Sequence, residues 1–216
     1  MRRCWQGSRS SGRAKRPLDG FIEKEKVSLD LDGTVANTYG AMVDVSNERH
    51  GTRKRYEDLI HYDFYRILGI DKEEMKQICR EVFTIRGKVG KLSCDIPKIV
   101  NALRKNFSVY IVTAAAMKRE EVLAWLEDNG IAVDGLIFTQ NKEEIGAFIY
   151  VEDSPDLARR LSAAGKRVVL IKTPYTAGMV DDLRKIPDAY QNIIPAEGWG
   201  EVQEIIEREF EKLRRD

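Results

Sequence analysis

The sequence predicts an α/β fold, a Rossmann-like parallel sheet with helices on both faces and a small α-helical cap inserted after the first strand. The order of the hydrophobic patterns is the reason. From residue 107 onward, short apolar runs rich in β-branched residues alternate with amphipathic segments, which is typical of a parallel sheet wrapped by helices. Residues 39–90 show only helical spacing, so we expect them to form an insert.

The first strand and the insert open the folded part of the chain. The apolar, β-prone stretch VSLDLDGTVANT begins at Val27, and Gly33 permits a tight turn after the strand. A helix is predicted from residue 39 to residue 50, closed by Gly51. The aromatic-rich segment YEDLIHYDFYRILGI follows. Next comes a helix, DKEEMKQICREVFTI, which Asp71 is expected to cap.

The remaining elements are predicted to build the core. A helix over residues 95–103 has Pro97 in its first turn. Strands are predicted at FSVYIVT, GLIFT, AFIYVED and RVVLI, and helices at residues 118–129, SPDLARRLSAAG and residues 201–214. The predicted organisation is a basic, disordered tail over residues 1–20, a core domain over residues 21–38 and 91–216, and the cap insert over residues 39–90.

The amino-terminal tail differs in composition from the rest of the chain. Its first eighteen residues, MRRCWQGSRSSGRAKRPL, include six basic residues and no acidic one. Organellar transit peptides have similar compositions, but an apolar helical stripe is missing here. A disordered tail or a misplaced start codon is therefore the favoured interpretation.

The charge balance argues against two classes of partner. The chain has 36 basic and 35 acidic residues, for a formal net charge of +1, so no strong positive field attracts nucleic-acid polymers or anionic membranes. No apolar run is long enough to span a bilayer. The chain has three cysteines, Cys4, Cys79 and Cys94, which form no CxxC pair. This pattern indicates a reduced, cytoplasmic protein. The oligomeric state stays open, with a homodimer as one alternative.

Two carboxylates at the end of the first strand are the most informative feature of the chain. Asp30 and Asp32 are spaced two apart, so a strand would point both towards one spot. Two carboxylates this close repel each other, which disfavours ionisation of both. A divalent cation removes this repulsion, and such a site can then bind a phosphate dianion. A solvated acidic turn is the alternative. An EF-hand loop is excluded, because Gly33 stands fourth instead of sixth and Ala41 occupies the twelfth position.

Polar residues also follow two later strands. Thr113 ends FSVYIVT, and Glu152 and Asp153 end AFIYVED. Because ligands bind at the carboxyl ends of parallel strands, we expect these residues to meet Asp30 and Asp32 at one edge of the sheet. Hard oxygen ligands of this kind favour Mg²⁺. The alternative for Glu152 and Asp153 is an acid pair stabilised by the dipole of the following helix.

These motifs together resemble those of the haloacid dehalogenase (HAD) superfamily of phosphatases, over residues 26–210. DLDGT is similar to the first motif, VTA at 112–114 to the second, Lys142 to the third and VEDSP at 151–155 to the fourth. The chain is most similar to the 5'(3')-deoxyribonucleotidases, through the place of the cap, the YEDLIHYDFY segment, and KTPYT followed by GWGEV. It departs from them at Thr176, where they often have Asn, and at Ala115, where they tend to have Arg or Pro.

The resemblance implies a HAD-like fold and Mg²⁺-dependent hydrolysis of phosphomonoesters through an aspartyl-phosphate. It implies Asp30 as the nucleophile. Asp32 would be the general acid and then the base that activates water, and it would also be a metal ligand through its backbone carbonyl. Asp30, Asp32 and Asp153 would hold the metal, with Glu152 binding directly or through water.

The resemblance also implies groups that bind the phosphate and the rest of the substrate. Thr113, Ala114 and Lys142 would hold the phosphate, although Lys118 competes with Lys142 for that role and Lys142 has an alternative as a surface lysine in a turn. The aromatic residues of the cap would either stack on a base or form the cap's own small core; these residues are Tyr62, Phe64 and Tyr65.

The motifs and the resemblance are compatible with three functions. The leading one is a 5'-nucleotidase or deoxyribonucleotidase. The second is a phosphatase for sugar phosphates or phosphoglycolate, and the third is a protein that binds phosphorylated ligands without turnover. All residues that the chemistry requires are present, which argues against the third. The expected partner is a small phosphomonoester, either a nucleotide or a sugar phosphate.

Overall fold

A computed structural model describes residues 24–85, 87–114, 117–186 and 190–215. The predicted tail over residues 1–20 lies outside these ranges. Among the described helices, none combines the length and apolar character needed to cross a bilayer.

A parallel sheet forms the centre of the core. Its strands within the described ranges are β1 (Lys26–Leu29), β2 (Ser108–Thr113), β3 (Gly135–Phe138), β4 (Ile149–Glu152), β5 (Arg167–Ile171) and β6 (Ile193–Ala196). They lie in the order β3-β2-β1-β4-β5-β6, and every neighbouring pair is parallel. The predicted α/β architecture is therefore confirmed, and the chain reverses its direction of travel across the sheet between β1 and β4.

The insert between β1 and β2 is helical, as predicted. It contains α1 (Thr38–His50), a 3₁₀ turn (Tyr56–Asp58), α2 (Phe64–Leu68) and α3 (Lys72–Thr84). The helix α1 ends at Gly51, whose φ of 64° is the left-handed conformation that glycine adopts most easily. Asp71 caps α3 by accepting a hydrogen bond from the Glu74 amide.

The described helices of the core cover the sheet and agree in part with the prediction. They are α4 (Ile96–Leu103), α5 (Arg119–Asp128), α6 (Pro155–Ala163), α7 (Ala177–Lys185) and α8 (Trp199–Leu213). Neither α7 nor β6 was predicted from the sequence. Pro195 lies inside β6, and a proline is unfavourable in most strands, so the sequence pattern indicates a loop. The structure tolerates this proline because β6 is an edge strand, whose outer side has no neighbouring strand and needs no backbone N–H donors.

The two crossings between the core and the insert lie side by side. The Asn37 amide donates to the Gly90 carbonyl at 2.8 Å, and the Leu92 amide donates to the Val35 carbonyl at 3.0 Å. Trp125 ties the returning segment to α5, because its indole N–H donates to the Val89 carbonyl at 2.8 Å. The insert is thus attached to the core next to the end of β1.

Candidate active site

The carboxyl ends of the three central strands bring the predicted polar residues together. Asp30 follows β1 directly, and its amide donates to the Val151 carbonyl of β4 at 3.0 Å. Thr113 ends β2, and Glu152 ends β4. Because β1 pairs with β2 on one side and with β4 on the other, residues distant in the sequence meet at one edge of the sheet.

Three carboxylates form the centre of this pocket. Asp30, Glu152 and Asp153 are buried, and each offers an oxygen within 4.8 Å of the others. One oxygen of Asp153, Oδ1, is buried and has no hydrogen-bond partner among the described residues. A buried acceptor without a partner is costly, so this oxygen fits the role of a cation ligand. The hard oxygen donors suit Mg²⁺.

The pKa values of the acids reflect the same conflict. Burial raises the pKa of Glu152 to about 8, although the charge of Lys142 opposes this effect. Burial, and then the charge of Asp30, raise the pKa of Asp153 well above its usual range. Without a cation, therefore, the three carboxylates do not all ionise near neutral pH. A divalent cation would let them do so, and on this ground the residues fit a metal site.

Lys142 lies beside the acids and is almost completely buried. Its ammonium donates to Asp30 Oδ1 at 2.6 Å and to both oxygens of Glu152, at 3.0 and 3.1 Å. Burial disfavours this charge, but the carboxylates of Asp30 and Glu152 outweigh that effect and keep the pKa of Lys142 above its ordinary value. Lys118, the competing candidate, is 79% exposed and pairs with Glu121. The structure brings Lys142 to the pocket and leaves Lys118 at the surface.

Asp32 has a different environment from the other acids. It keeps partial exposure. The Thr38 hydroxyl donates to its Oδ1 at 2.7 Å, and the Thr113 hydroxyl approaches its Oδ2 at 3.5 Å. Desolvation of the carboxyl by its surroundings, and then the charge of Asp30, raise its pKa to about 6. An acid with that pKa can hold a proton at near-neutral pH and release it during a reaction.

The second predicted motif forms the other wall of the pocket. Thr113 is 1% exposed, and the exposed Ala114 follows it at the end of β2. Ala115, one of the two departures from the resembling family, lies outside the described residues.

An aromatic cluster covers the acids from the side of the insert. The rings of Tyr62 and Phe64 lie 5.1 Å apart, and Tyr39 of α1 contacts both. Tyr175, which follows β5, joins all three. Phe64 is buried at the centre, whereas 44% of Tyr62 is exposed. Tyr65 has a different place, because its ring packs against the cations of Arg66 and Lys72.

Several residues of this site were not predicted from the sequence. The Tyr175 hydroxyl donates to Asp153 Oδ2 at 2.5 Å, and Trp199 donates from its indole N–H to the Thr34 carbonyl at 2.9 Å. Thr38 was seen only as the end of the first motif. Tyr175 and Trp199 follow the ends of β5 and β6, and Thr38 adjoins the first motif. These positions were the only signal in the sequence that could have indicated a role for them at the site.

Gly33 allows the close approach of these groups. Its φ is 73°, and a Cβ at this position would overlap the Asp153 carboxylate and the Tyr175 hydroxyl. The glycine of DLDGT is therefore needed for its conformation and for its missing side chain.

Comparisons with known proteins agree with this geometry. The family model described as "5' nucleotidase, deoxy (Pyrimidine), cytosolic type C protein" matches residues 24–209. A nucleotidase of Clostridium acetobutylicum is 28% identical over 202 residues, which cover 88% of this chain and 98% of that protein. A protein of Chlorobaculum tepidum provisionally named a 5'(3')-deoxyribonucleotidase is 24% identical over 153 residues, covering 64% of this chain and 74% of that protein.

A solved structure shares the architecture. The haloacid dehalogenase-like hydrolase from Streptococcus pneumoniae superposes with a TM-score of 0.55 and 14% sequence identity, over 81% of this chain and 94% of that one. At this identity the likeness concerns the fold alone, and it agrees with the parallel sheet described above.

Proposed function

The chain belongs to the family described as 5' nucleotidase, deoxy (Pyrimidine), cytosolic type C, of the haloacid dehalogenase superfamily, and on that premise we propose that it is a Mg²⁺-dependent nucleotidase that works through an aspartyl-phosphate. The family makes the chain a phosphoric monoester hydrolase. The observation that best supports the proposal is the buried trio of Asp30, Glu152 and Asp153, in which Asp153 Oδ1 has no partner among the described residues.

The metal would be held by residues at the ends of β1 and β4. Asp30 and Asp153 would bind through their carboxylates, and Asp32 through its backbone carbonyl. Glu152 would act through water, because Lys142 contacts both of its oxygens. When bound, Mg²⁺ would offset the negative charge of the acids and of the phosphate. Mg²⁺ and the phosphate group of the substrate would thus share one pocket.

Asp30 is the proposed nucleophile. Its carboxylate oxygen would form a bond to phosphorus while the bond from phosphorus to the ester oxygen breaks, which gives an aspartyl-phosphate and an alcohol. Lys142 lies 2.6 Å from Asp30 and would neutralise the phosphate as it approaches. Thr113 and Ala114 would hold phosphoryl oxygens at the end of β2 through the hydroxyl and the backbone amides.

Asp32 is the proposed acid and base. In the first step its proton would pass to the leaving ester oxygen, so the product leaves as a neutral alcohol. In the second step the ionised carboxylate would take a proton from water, which attacks phosphorus and releases inorganic phosphate. Asp30 and protonated Asp32 are then restored. The raised pKa of about 6 supports both roles.

The substrate we propose is a nucleoside 5'-monophosphate, with deoxyribonucleotides preferred. The nucleotidase and deoxyribonucleotidase names of the relatives support this class. The exposed part of Tyr62 offers an aromatic surface next to the acids, and aromatic surfaces stack on bases. Phe64 would support Tyr62 from below, since their rings lie 5.1 Å apart.

A phosphate-release assay tests this proposal. Deoxyribonucleoside 5'-monophosphates should be hydrolysed only with Mg²⁺, and with a higher kcat/KM than sugar phosphates or phosphoglycolate. Tyr62→Ala should lower kcat/KM for nucleotides selectively. Tyr65→Ala is the matched control, because its ring contacts Arg66 and Lys72 instead of the cluster. Preference for a sugar phosphate would favour the second function, and binding of phosphate esters without hydrolysis would favour the third.

We also propose a division of the chain into a cap and a core, and a cytoplasmic location for the enzyme. Residues 39–90 would act as a cap on a core formed by residues 21–38 and 91–216. The cytosolic description of the family and the unpaired cysteines Cys79 and Cys94 support a cytoplasmic enzyme. Size-exclusion chromatography with light scattering would separate a monomer from a homodimer.

A further inference from the structure

Tyr175, in the KTPYT segment, contacts the proposed metal site although none of the four superfamily motifs includes it. The residue is 8% exposed, and its hydroxyl donates to Asp153 Oδ2 at 2.5 Å. The other oxygen of the same carboxylate, Oδ1, is the buried one that lacks a partner among the described residues. The phenol thus occupies one oxygen of Asp153 and leaves the second for a cation.

The loop after β5 fixes Tyr175 from the core side. The Thr176 hydroxyl, completely buried, accepts a hydrogen bond from the Thr173 amide at 2.7 Å and donates to the Ile171 carbonyl at 2.8 Å. These bonds close the loop at the end of the strand, so the backbone of Tyr175 is held next to the acids. They also give a structural reason for a threonine at position 176.

The insert fixes the ring of Tyr175 from the opposite side. Its centroid lies 5.7 Å from that of Tyr39, 5.6 Å from that of Tyr62 and 4.9 Å from that of Phe64, and all three contacts have edge-to-face geometry. Tyr39 comes from α1, Tyr62 from the segment that leads into α2, and Phe64 is the first residue of α2. The aromatic residues of the insert therefore contact Tyr175, and Tyr175 in turn contacts Asp153.

We propose that Tyr175 is a positioning residue whose hydroxyl holds Asp153 in the orientation that binds Mg²⁺, and that the aromatic residues of the insert keep the hydroxyl in place. This inference rests on the proposed function, because it concerns the same metal. Groups that hydrogen-bond to a metal ligand orient it, and their removal typically lowers metal affinity about 10–100-fold.

Calorimetric titration of the substrate-free protein with Mg²⁺ tests the inference. Tyr175→Phe keeps the ring and removes the hydroxyl, so we expect its Kd for Mg²⁺ to rise at least about tenfold. Tyr65→Phe is the matched control: it also removes a tyrosine hydroxyl from the insert, but its ring packs against Arg66 and Lys72 outside the cluster, so Mg²⁺ affinity should stay at the wild-type value. A wild-type Kd in Tyr175→Phe would overturn the inference, and so would an equal loss in both variants.

A second pair of variants keeps the inference testable if Tyr175→Phe does not fold. Thr176→Val removes the hydroxyl that closes the loop and should weaken Mg²⁺ binding, whereas Thr176→Ser should retain it. Equal affinities in this pair would contradict the inference. The two proposals fail differently. If the wild type binds Mg²⁺ and hydrolyses nucleotides while Tyr175→Phe matches it, only the positioning role falls. If the wild type binds no Mg²⁺, both fall.

Discussion

Lys142 and Asp30, 112 residues apart in the sequence, form a buried ion pair with 2.6 Å between the ammonium and Oδ1 of the carboxylate. The lysine comes from a 3₁₀ turn between β3 and β4, and the aspartate follows β1. The same ammonium contacts Glu152. One cation therefore balances the proposed nucleophile and an acid next to the proposed metal, which makes Lys142 important for stability and for activity.

Replacement of Lys142 should affect both properties. Lys142→Met leaves two buried carboxylates without their cation, and loss of one partner of a buried pair costs about 3–5 kcal/mol. If Lys142→Met remains folded, its kcat should fall about 100–1,000-fold, as it does on loss of other groups that stabilise charge developing in a transition state. Urea denaturation and the phosphate-release assay measure the two effects. Lys118→Met, at a residue 79% exposed, should change stability by no more than about 0.5 kcal/mol.

Gly33 should tolerate no side chain. Gly33→Ala would place a Cβ against Asp153 and Tyr175 in addition to the strain of a φ of 73°. A left-handed conformation alone costs about 1–3 kcal/mol in a residue other than glycine, so the total should exceed that range and Mg²⁺ affinity should fall. Gly130→Ala separates the two causes, because its φ is 67° but no atom lies within 4 Å of its Cβ. Equal losses of stability in the two variants would argue against the crowding.

Stabilisation by Mg²⁺ should increase with pH. In the metal-free protein the pKa of Glu152 is about 8 and that of Asp153 is raised, so the folded state binds more protons than the unfolded state from about pH 4.5 to pH 8. The free energy of unfolding therefore decreases as the pH rises through that window. Mg²⁺ competes with these protons, and the increase in Tm that it causes should be larger at pH 8 than at pH 5.5.

The variant Asp153→Asn is the control for this thermal shift. It removes one carboxylate and should lose most of the Mg²⁺ effect at both pH values. An increase in Tm that does not depend on pH in the wild type would show that protons and the metal do not share these acids.

Asp32 should determine the pH dependence of phosphoryl transfer. Its pKa is raised from 3.8 to about 6, so the carboxyl stays protonated up to about pH 6 and becomes less able to act as an acid above it. Single-turnover rates of ester cleavage should then decrease as the pH rises beyond about 6. Asp32→Asn should lose this decrease and react about 100–10,000-fold more slowly. Asp156→Asn, at a surface residue paired with Arg159, should keep the wild-type profile.

The strand ends were predictable because each motif is continuous in the sequence. Asp30 and Asp32 follow an apolar run, and so do Glu152 and Asp153. The rule that parallel strands present ligands at their carboxyl ends was enough to bring these acids together. Lys142 followed only from the resemblance, since a lysine in a polar turn has no periodic signal, and its nearly complete burial depends on tertiary contacts.

The aromatic contacts could not be predicted in the same way. Tyr39, Tyr62 and Tyr175 come from three separate segments. The rings of Tyr39 and Tyr62 meet that of Tyr175 only after the insert has packed on the core. A tyrosine at a half-buried position is equally consistent with simple packing. The element β6 was missed for a local reason, because Pro195 is unfavourable in a strand unless that strand lies at an edge.

Detection of the phosphorylated residue is the most direct test of the mechanism. Wild-type protein mixed with a ³²P-labelled deoxyribonucleoside 5'-monophosphate and Mg²⁺, then quenched in acid, should carry the label on Asp30 in peptide mapping. Asp30→Asn should fold with a wild-type circular dichroism spectrum, carry no label and release no phosphate. A label on another residue, or turnover in Asp30→Asn, would contradict the assignment of Asp30 as the nucleophile.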